Sequence, residues 1–442
     1  MQQHFLGGIF TTDYLKNRTI QSIFLNPVTP SEIIDIIALM NNSFSKGCDD
    51  VSMVVIKQCS VEVSCILSDV FNLSLTQGIF PDQLKIAKVI PIFKSGNKSG
   101  VANYRPISIL SPFSKILEKI FYSRLISFVN KNSIIADTQY GFRKNLSTEL
   151  ALLDLTNQIT KALDDRQITV GIFLDLSKAF DTVNHSILLD KLEHYGIRGT
   201  PLNWISSYLS NRYQYVAIED ISSSLLPLTC GVPQGSILGP LLFILYVNDI
   251  QTITDLSLIM FADDTNIFAT GYCPFLLSNT LNAKLQSISE WFSTNLLSLN
   301  LNKTCFMIFS KRKFPIAAEM ITINGVALQR VRETKFLGVI ISDDLKWKKQ
   351  VDLVVQRVSK VVGILYRTCH VLDKDRLKLL YSTLLEPYIT YCCSVWSSPY
   401  INGNLDRLFK LQKAAVRVIS HSSYLAHSDP LFSSLKLSKS MT

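Results

Sequence analysis

Two hydrophobic periods alternate along this chain, and they divide it into helices and hairpins. In "SKILEKIFYSRLISFVNKN" the apolar residues Ile116, Leu117, Ile120, Phe121 and Leu125 recur at helical spacing, while Lys115, Lys119 and Arg124 fall elsewhere. That arrangement predicts an amphipathic helix. "TELALLDLTNQITKALDD", "HSILLDKLEHYGI" and "PLNWISSYLSNR" read the same way, and "SEIIDIIALMNNSF" predicts a helix with Ser31 as its N-cap. "KIAKVIPIFK" and "QYVAIED" are β-prone, "SGNKSG" after the first reads as a hairpin tip, and "PLLFILYVNDI" reads as a buried helix. From about Lys346 to Ser420 the pattern is mainly helical, and the last stretch, "HSSYLAHSDPLFSSLKLSKSMT", reads as loosely ordered. Helices and hairpins interleave without a regular βαβ rhythm, so the expected class is α+β rather than a doubly wound sheet.

Three aspartates break this patterning where it is most apolar. Asp263 and Asp264 sit together inside "LSLIMFADDTNIFAT", with no Lys or Arg between Leu256 and Thr270, and Asp175 ends the apolar run that begins at Ile168. A carboxylate in apolar surroundings is costly unless a cation or a bound metal compensates it. Three of them at the ends of buried strands are the donor set that a divalent-metal site for phosphoryl chemistry requires. If the strands are neighbours, Asp175 and Asp263 can face each other, with Asp264 approaching from the turn. Taken alone "FADD" is weak evidence, because Asp-rich turns are common, and "LSKAF" after Asp175 would also permit that residue to cap a helix.

Composition narrows the setting. With 442 residues, 47% hydrophobic and 18% charged, the chain is a folded protein with room for two or three subdomains. Its net charge is +9, and residues 346–420 carry 13 Lys and Arg against 5 Asp and Glu. A polyanionic partner would suit that local excess, and so would a plain solvated surface. The nine cysteines are scattered, and neither Cys369-His370 nor Cys392-Cys393 has zinc-ligand spacing, so a reduced intracellular compartment is the simplest inference. "ILGPLLFILYV" is too short to span a bilayer, and no membrane association is expected.

"FLDLSKAFDTVNH", "GVPQGSILGPLLFILYVNDI" and "FADD" occur in that order, and together they resemble the reverse transcriptase domain of non-LTR retrotransposons. "IAKVIPIFKSGNKSGVANYRPISILSPFSKILEKI", "QYGFRKNLSTELALL", "SLNLNKTCFMIFS" and "KFLGVIISDDLKW" are similar to other blocks of that family. The likeness is greatest to the jockey-like group and covers roughly residues 45–400. It implies a right-hand polymerase, organised as a helical lead-in (1–73), fingers and palm (74–345) and a helical basic thumb (346–420), before the loose tail (421–442). The implied activity is an RNA-directed DNA polymerase using two Mg²⁺ ions, with Mn²⁺ as a substitute. Its partners would be an RNA template, a DNA primer or nicked target DNA, and dNTPs. The endonuclease that such elements use is expected to be absent from this chain, and the family's location is nucleus and cytoplasm.

The resemblance also assigns residues. Asp175, Asp263 and Asp264 fall on the catalytic, metal-binding aspartates, and Lys303 on a lysine that protonates the leaving pyrophosphate, contacts phosphate or merely sits in a solvated loop. Lys94 and Arg105 fall where cations meet the triphosphate. Phe180 falls where a ring excludes a 2′-hydroxyl, although ordinary core packing would also explain it. Gln234 and Gly235 lie under the nascent base pair by the same resemblance, and Leu337 and Gly338 correspond to the primer grip. Arg143 in "GFRK" is a weaker candidate for template or nucleotide contact, and Arg407, Lys410 and Arg417 would track a nucleic-acid backbone. The competing class is a catalytically idle RNA-binding or maturation factor derived from the same fold. A phosphatase is disfavoured because Ser177, not an acid, stands two residues after Asp175.

Overall fold

The computed structural model describes residues 11–15, 18–311, 320–397 and 405–439, so the ends of the expected lead-in and tail lie outside the described residues. After a 3-10 turn (Thr11–Tyr14) come α1 (Pro30–Leu39), α2 (Met53–Gln58) and α3 (Ser60–Gln77). The cap of α1 is Thr29, whose hydroxyl accepts from the Glu32 amide at 3.3 Å, and not Ser31 as the sequence suggested. Pro30 explains the shift. A proline needs no amide partner at the first helical position, so the cap falls before it.

The hairpin β1 (Ile86–Phe93) and β2 (Tyr104–Ile109) follows, then α4 (Pro112–Lys131), α5 (Thr148–Asp164) and β3 (Ile168–Leu174). Next come α6 (His185–His194), α7 (Thr200–Leu209), β4 (Arg212–Ile218), the short β5 (Ile221–Ser222), β6 (Leu226–Leu228) and α8 (Gly239–Val247). A second hairpin, β7 (Ser257–Phe261) and β8 (Asp264–Gly271), precedes α9 (Pro274–Thr294) and β9 (Cys305–Phe309). Three two-residue strands, β10 (Thr322–Ile323), β11 (Val326–Ala327) and β12 (Gln329–Arg330), lead to a third hairpin, β13 (Glu333–Phe336) and β14 (Val339–Ser342). The rest is helical: α10 (Lys348–Thr368), α11 (Lys374–Leu380), α12 (Glu386–Thr390), α13 (Cys393–Trp396), α14 (Leu405–Ile419) and α15 (Ser428–Leu435).

A five-stranded sheet in the order β12-β9-β3-β8-β7 divides the molecule. All its pairings are antiparallel except β12 with β9. Successive residues of a strand point to opposite faces, and here both faces are dry. Ile172, Ile267 and Ile308 enter one core, while Phe173, Phe268 and Phe309 enter the other. β3 is consequently buried at all seven positions. The first core also takes the helices α1, α3, α4 and α6 to α9, and the second takes α5 and the C-terminal helices. A second sheet, β2-β1-β4-β5 with β6 beside β4, stands apart from this one.

Buried polar pairs tie the elements together. Lys191 and Asp249 meet at 2.6 Å with both side chains shielded from water, and Lys191 also donates to the Tyr246 carbonyl while Trp291 Nε1 donates to Asp249. Burial holds the Lys191 pKa below its ordinary value, partly offset by Asp249. At the far end, the segment expected to be loose carries α15, whose Phe432 and Leu435 are buried in the second core. Leu431, Phe432 and Leu435 at helical spacing have an apolar surface to meet, which the polar flanks of that segment concealed.

Candidate active site

The apolar run of β3 ends at Asp175, and the β3/β8 ladder shows where that residue stands. Leu174 pairs with Thr265, so one further step sets Asp175 opposite Asp264. Asp263 belongs to a two-residue turn, Ala262-Asp263, closed by the Phe261–Asp264 pair. Ala262 adopts φ +57, the left-handed region that costs a residue with a Cβ roughly 1–2 kcal/mol. Three carboxylates from neighbouring strand ends are thus brought together.

The electrostatics reflect this crowding. Burial and the neighbouring Asp263 and Asp175 carboxylates push the Asp264 pKa up to about 6. Burial lifts Asp263 as well, with a contribution from Asp175, whereas Arg105 and Lys94 act in the opposite direction. Those two cations flank the β1–β2 loop, where Lys94 N–H donates to the Asn103 carbonyl and Arg105 pairs with Ile92. Both are exposed, and their charges act on Asp263.

The chain beyond β3 is laced to the loop preceding β9. Asn300 N–H donates to the Asp175 carbonyl at 2.8 Å, Ser177 N–H to the Ser298 carbonyl at 2.9 Å, and Asp175 N–H to Thr304 Oγ1 at 3.3 Å. This lacing brings Lys303 Nζ to 3.6 Å from Asp175 Oδ2. Hard oxygen donors with an exposed rim suit Mg²⁺ or Mn²⁺, and bound cations would relieve the mutual repulsion of the three acids. Among the described residues, no group of three His, Cys, Asp or Glu side chains is arranged to hold a metal ion.

Phe180 follows on a short 3-10 turn, half-buried, stacked on Phe243 at 4.5 Å and met edge-on by Phe142 at 6.4 Å. Its segment is stitched to "GVPQGS" by Val232 N–H donating to the Phe180 carbonyl and Gly231 N–H to the Val183 carbonyl. Gln234 Nε2 donates to Asp181 Oδ1 at 2.8 Å, and the Gln234 carbonyl accepts from Ser108 N–H on β2 at 2.8 Å. Gly235 has φ +117, and a Cβ there would stand 2.5 Å from the Ser108 carbonyl oxygen. Glu118, fully buried on α4, accepts from the Ile237 and Leu238 amides and so fixes the entry to α8.

Leu337 and Gly338 form the two-residue turn of the β13–β14 hairpin, both with positive φ. Tyr391 donates to the Leu337 carbonyl at 2.7 Å, and Phe336 packs 6.2 Å from Phe173, two residues before Asp175. Arg143, the further candidate for template or nucleotide contact, lies on the loop before α5. Its guanidinium donates to the Ala136 and Gln139 carbonyls and stands 3.9 Å from Asp137, so it braces its own loop. On α14, Arg407 binds Asp352 and Arg417 donates to the Ala426 carbonyl, while Arg407 and Lys410 are both exposed. The cavity of about 470 Å³ beside Tyr14, Thr252 and Glu290 contains none of these residues. Among the described residues, no helix is long and apolar enough to cross a membrane.

Residues 94–341 match the family model described as "Reverse transcriptase (RNA-dependent DNA polymerase)". The chain is 27% identical over 446 residues to the probable RNA-directed DNA polymerase from transposon BS of Drosophila melanogaster, covering 97% of this chain and 48% of that protein. It is 26% identical over 441 residues to the RNA-directed DNA polymerase from mobile element jockey of the same organism, with the same two coverages. A probable RNA-directed DNA polymerase from transposon X-element, also from D. melanogaster, is 27% identical over 442 residues, again covering 97% of this chain and 48% of that protein. The chain spans about half the length of these curated relatives.

Proposed function

The chain belongs to the reverse transcriptase (RNA-dependent DNA polymerase) family, and from that premise we propose that it adds deoxynucleotides to a primer 3′-end, copying the RNA of a non-LTR retrotransposon into DNA. The observation that carries the reading is the meeting of Asp175 with the Asp263-Asp264 turn at adjacent strand ends, where burial first, and then the neighbouring carboxylates, lift the Asp264 pKa to about 6. In this reading the β12-β9-β3-β8-β7 sheet is the palm, the β1–β2 hairpin with its sheet belongs to the fingers, and the helices from α10 onward form a thumb. Mg²⁺ ions held by Asp175, Asp263 and Asp264 would supply activation of the attacking hydroxyl and charge neutralisation at the leaving pyrophosphate.

The protein's own groups do the rest. Arg105 and Lys94, whose charges act on Asp263, take up triphosphate charge, Arg105 with a planar fork suited to two phosphate oxygens. Lys303, 3.6 Å from Asp175, gives a proton to pyrophosphate in this reading. Phe180, backed by Phe243, walls off the space that a 2′-hydroxyl would need. Gln234 and Gly235, pinned to β2 and Asp181, support the nascent pair, and the Leu337-Gly338 turn positions the primer.

The test is extension of a DNA primer on an RNA template with either dNTPs or NTPs. Extension with dNTPs and divalent metal is the expected result. Binding of the template without extension in Mg²⁺ or Mn²⁺ would instead support the idle RNA-binding factor.

A further inference from the structure

We propose that Gln139 is a positioning residue for the catalytic turn: its side-chain oxygen holds the Ala262 amide and so sets where Asp263 presents its carboxylate. The inference rests on reading Asp263 as a metal ligand, but its structural half stands on the hydrogen bonds alone. Gln139 is 1% exposed, and Oε1 accepts from Ala262 N–H at 3.0 Å and from Gly141 N–H at 2.8 Å. Both contacts are buried, so neither amide has water as an alternative partner.

The surrounding segment is built to hold that oxygen in place. Gln139 forms a parallel bridge with Met260, where Met260 N–H donates to the Thr138 carbonyl at 2.9 Å and Tyr140 N–H to the Met260 carbonyl at 2.8 Å. Residues 138–140 thus lie along β7 just before its turn. Arg143 closes the loop by donating to the Ala136 and Gln139 carbonyls, and Asn248 holds its start through the Ala136 amide and the Ile134 carbonyl. At Gly141 any Cβ would stand 2.4 Å from Ala262 N, so glycine is what allows the loop to press against the turn.

The turn needs such support. Ala262 holds a left-handed conformation unfavourable to a residue with a Cβ, next to a carboxylate repelled by Asp175. One acceptor satisfying two buried amides compensates for both. Among the described residues the buried Gln139 Nε2 group meets no partner, so the holding role falls to the oxygen.

Hydrogen–deuterium exchange on the full chain separates this role from general stabilisation. In Gln139→Met, which keeps the length and removes the acceptor, exchange at the Gly141 and Ala262 amides should accelerate roughly tenfold or more. The amides inside β3 and α8 should be unaffected. Gln139→Glu retains an oxygen and should keep slow exchange at both positions. In primer extension Gln139→Met should lower kcat roughly tenfold with the KM for dNTP changed less than about twofold. Unaltered exchange at Ala262, or acceleration spread evenly through the chain, would overturn the proposal. If the wild-type chain showed no polymerase activity, the exchange pattern would still decide whether Gln139 holds the turn.

Discussion

Replacing Gly235 by alanine probes how closely the "GVPQGS" loop must approach the neighbouring hairpin. The new methyl would lie 2.5 Å from the Ser108 carbonyl oxygen, on a backbone at φ +117 that side-chain-bearing residues avoid. Backbone strain of this kind costs about 1–3 kcal/mol. Relief requires the loop to retreat from β2, which breaks the 2.8 Å bond from Ser108 N–H to the Gln234 carbonyl, at about 0.5–1.5 kcal/mol. The expected destabilisation is about 2–4 kcal/mol, read by urea unfolding of both proteins. The same retreat carries Gln234 away from Asp181 and disturbs the strand bearing Arg105, so the KM for dNTP should rise in primer extension. Stability within about 0.5 kcal/mol of wild type, together with an unchanged KM, would refute the reasoning.

Other substitutions isolate single contacts. Phe180→Ala removes the ring stacked on Phe243 and should raise ribonucleotide incorporation relative to deoxynucleotide incorporation in competition assays; unchanged selectivity would leave Phe180 as core packing only. Lys303→Ala should lower kcat by roughly 10²–10⁴ if the lysine delivers a proton, whereas a rise in KM alone would mark it as a phosphate contact. Lys191→Ala strands Asp249 without its cation and should cost about 3–5 kcal/mol in unfolding experiments. Lys191→Met combined with Asp249→Leu should cost less than that single change, because no buried charge is left unpaired.

Much of this architecture can be read from local pattern, for a physical reason. Helical spacing of Ile116, Leu117, Ile120 and Phe121 reports burial on one face of α4, and each of these side chains is inaccessible in the folded chain. The apolar run before Asp175 reads as buried because both faces of β3 are covered, and the ladder with β8 then sets its end beside the second acidic position. α9 had no counterpart among the sequence-based expectations, although Leu277, Leu281, Leu285 and Ile288 line its buried side. The ordering of α15 depends on a partner surface formed by distant chain, which the segment's composition does not reveal. Gln139 and Glu118 are illegible for a sharper reason. Each satisfies backbone amides more than a hundred residues away, and a side chain bonded to backbone imposes no residue type on its partner.

The central claim is that Asp175 and Asp263 act as one centre, and single-turnover addition of one dNTP to an RNA-templated primer tests it most directly. Asp175→Asn, Asp263→Asn and the double substitution are compared with wild type after exchange experiments have shown that each is folded. Groups acting as a unit lose nearly everything at the first removal, so each single variant should fall close to background and the double variant no further. Appreciable addition by Asp263→Asn, or losses that multiply in the double variant, would contradict the account.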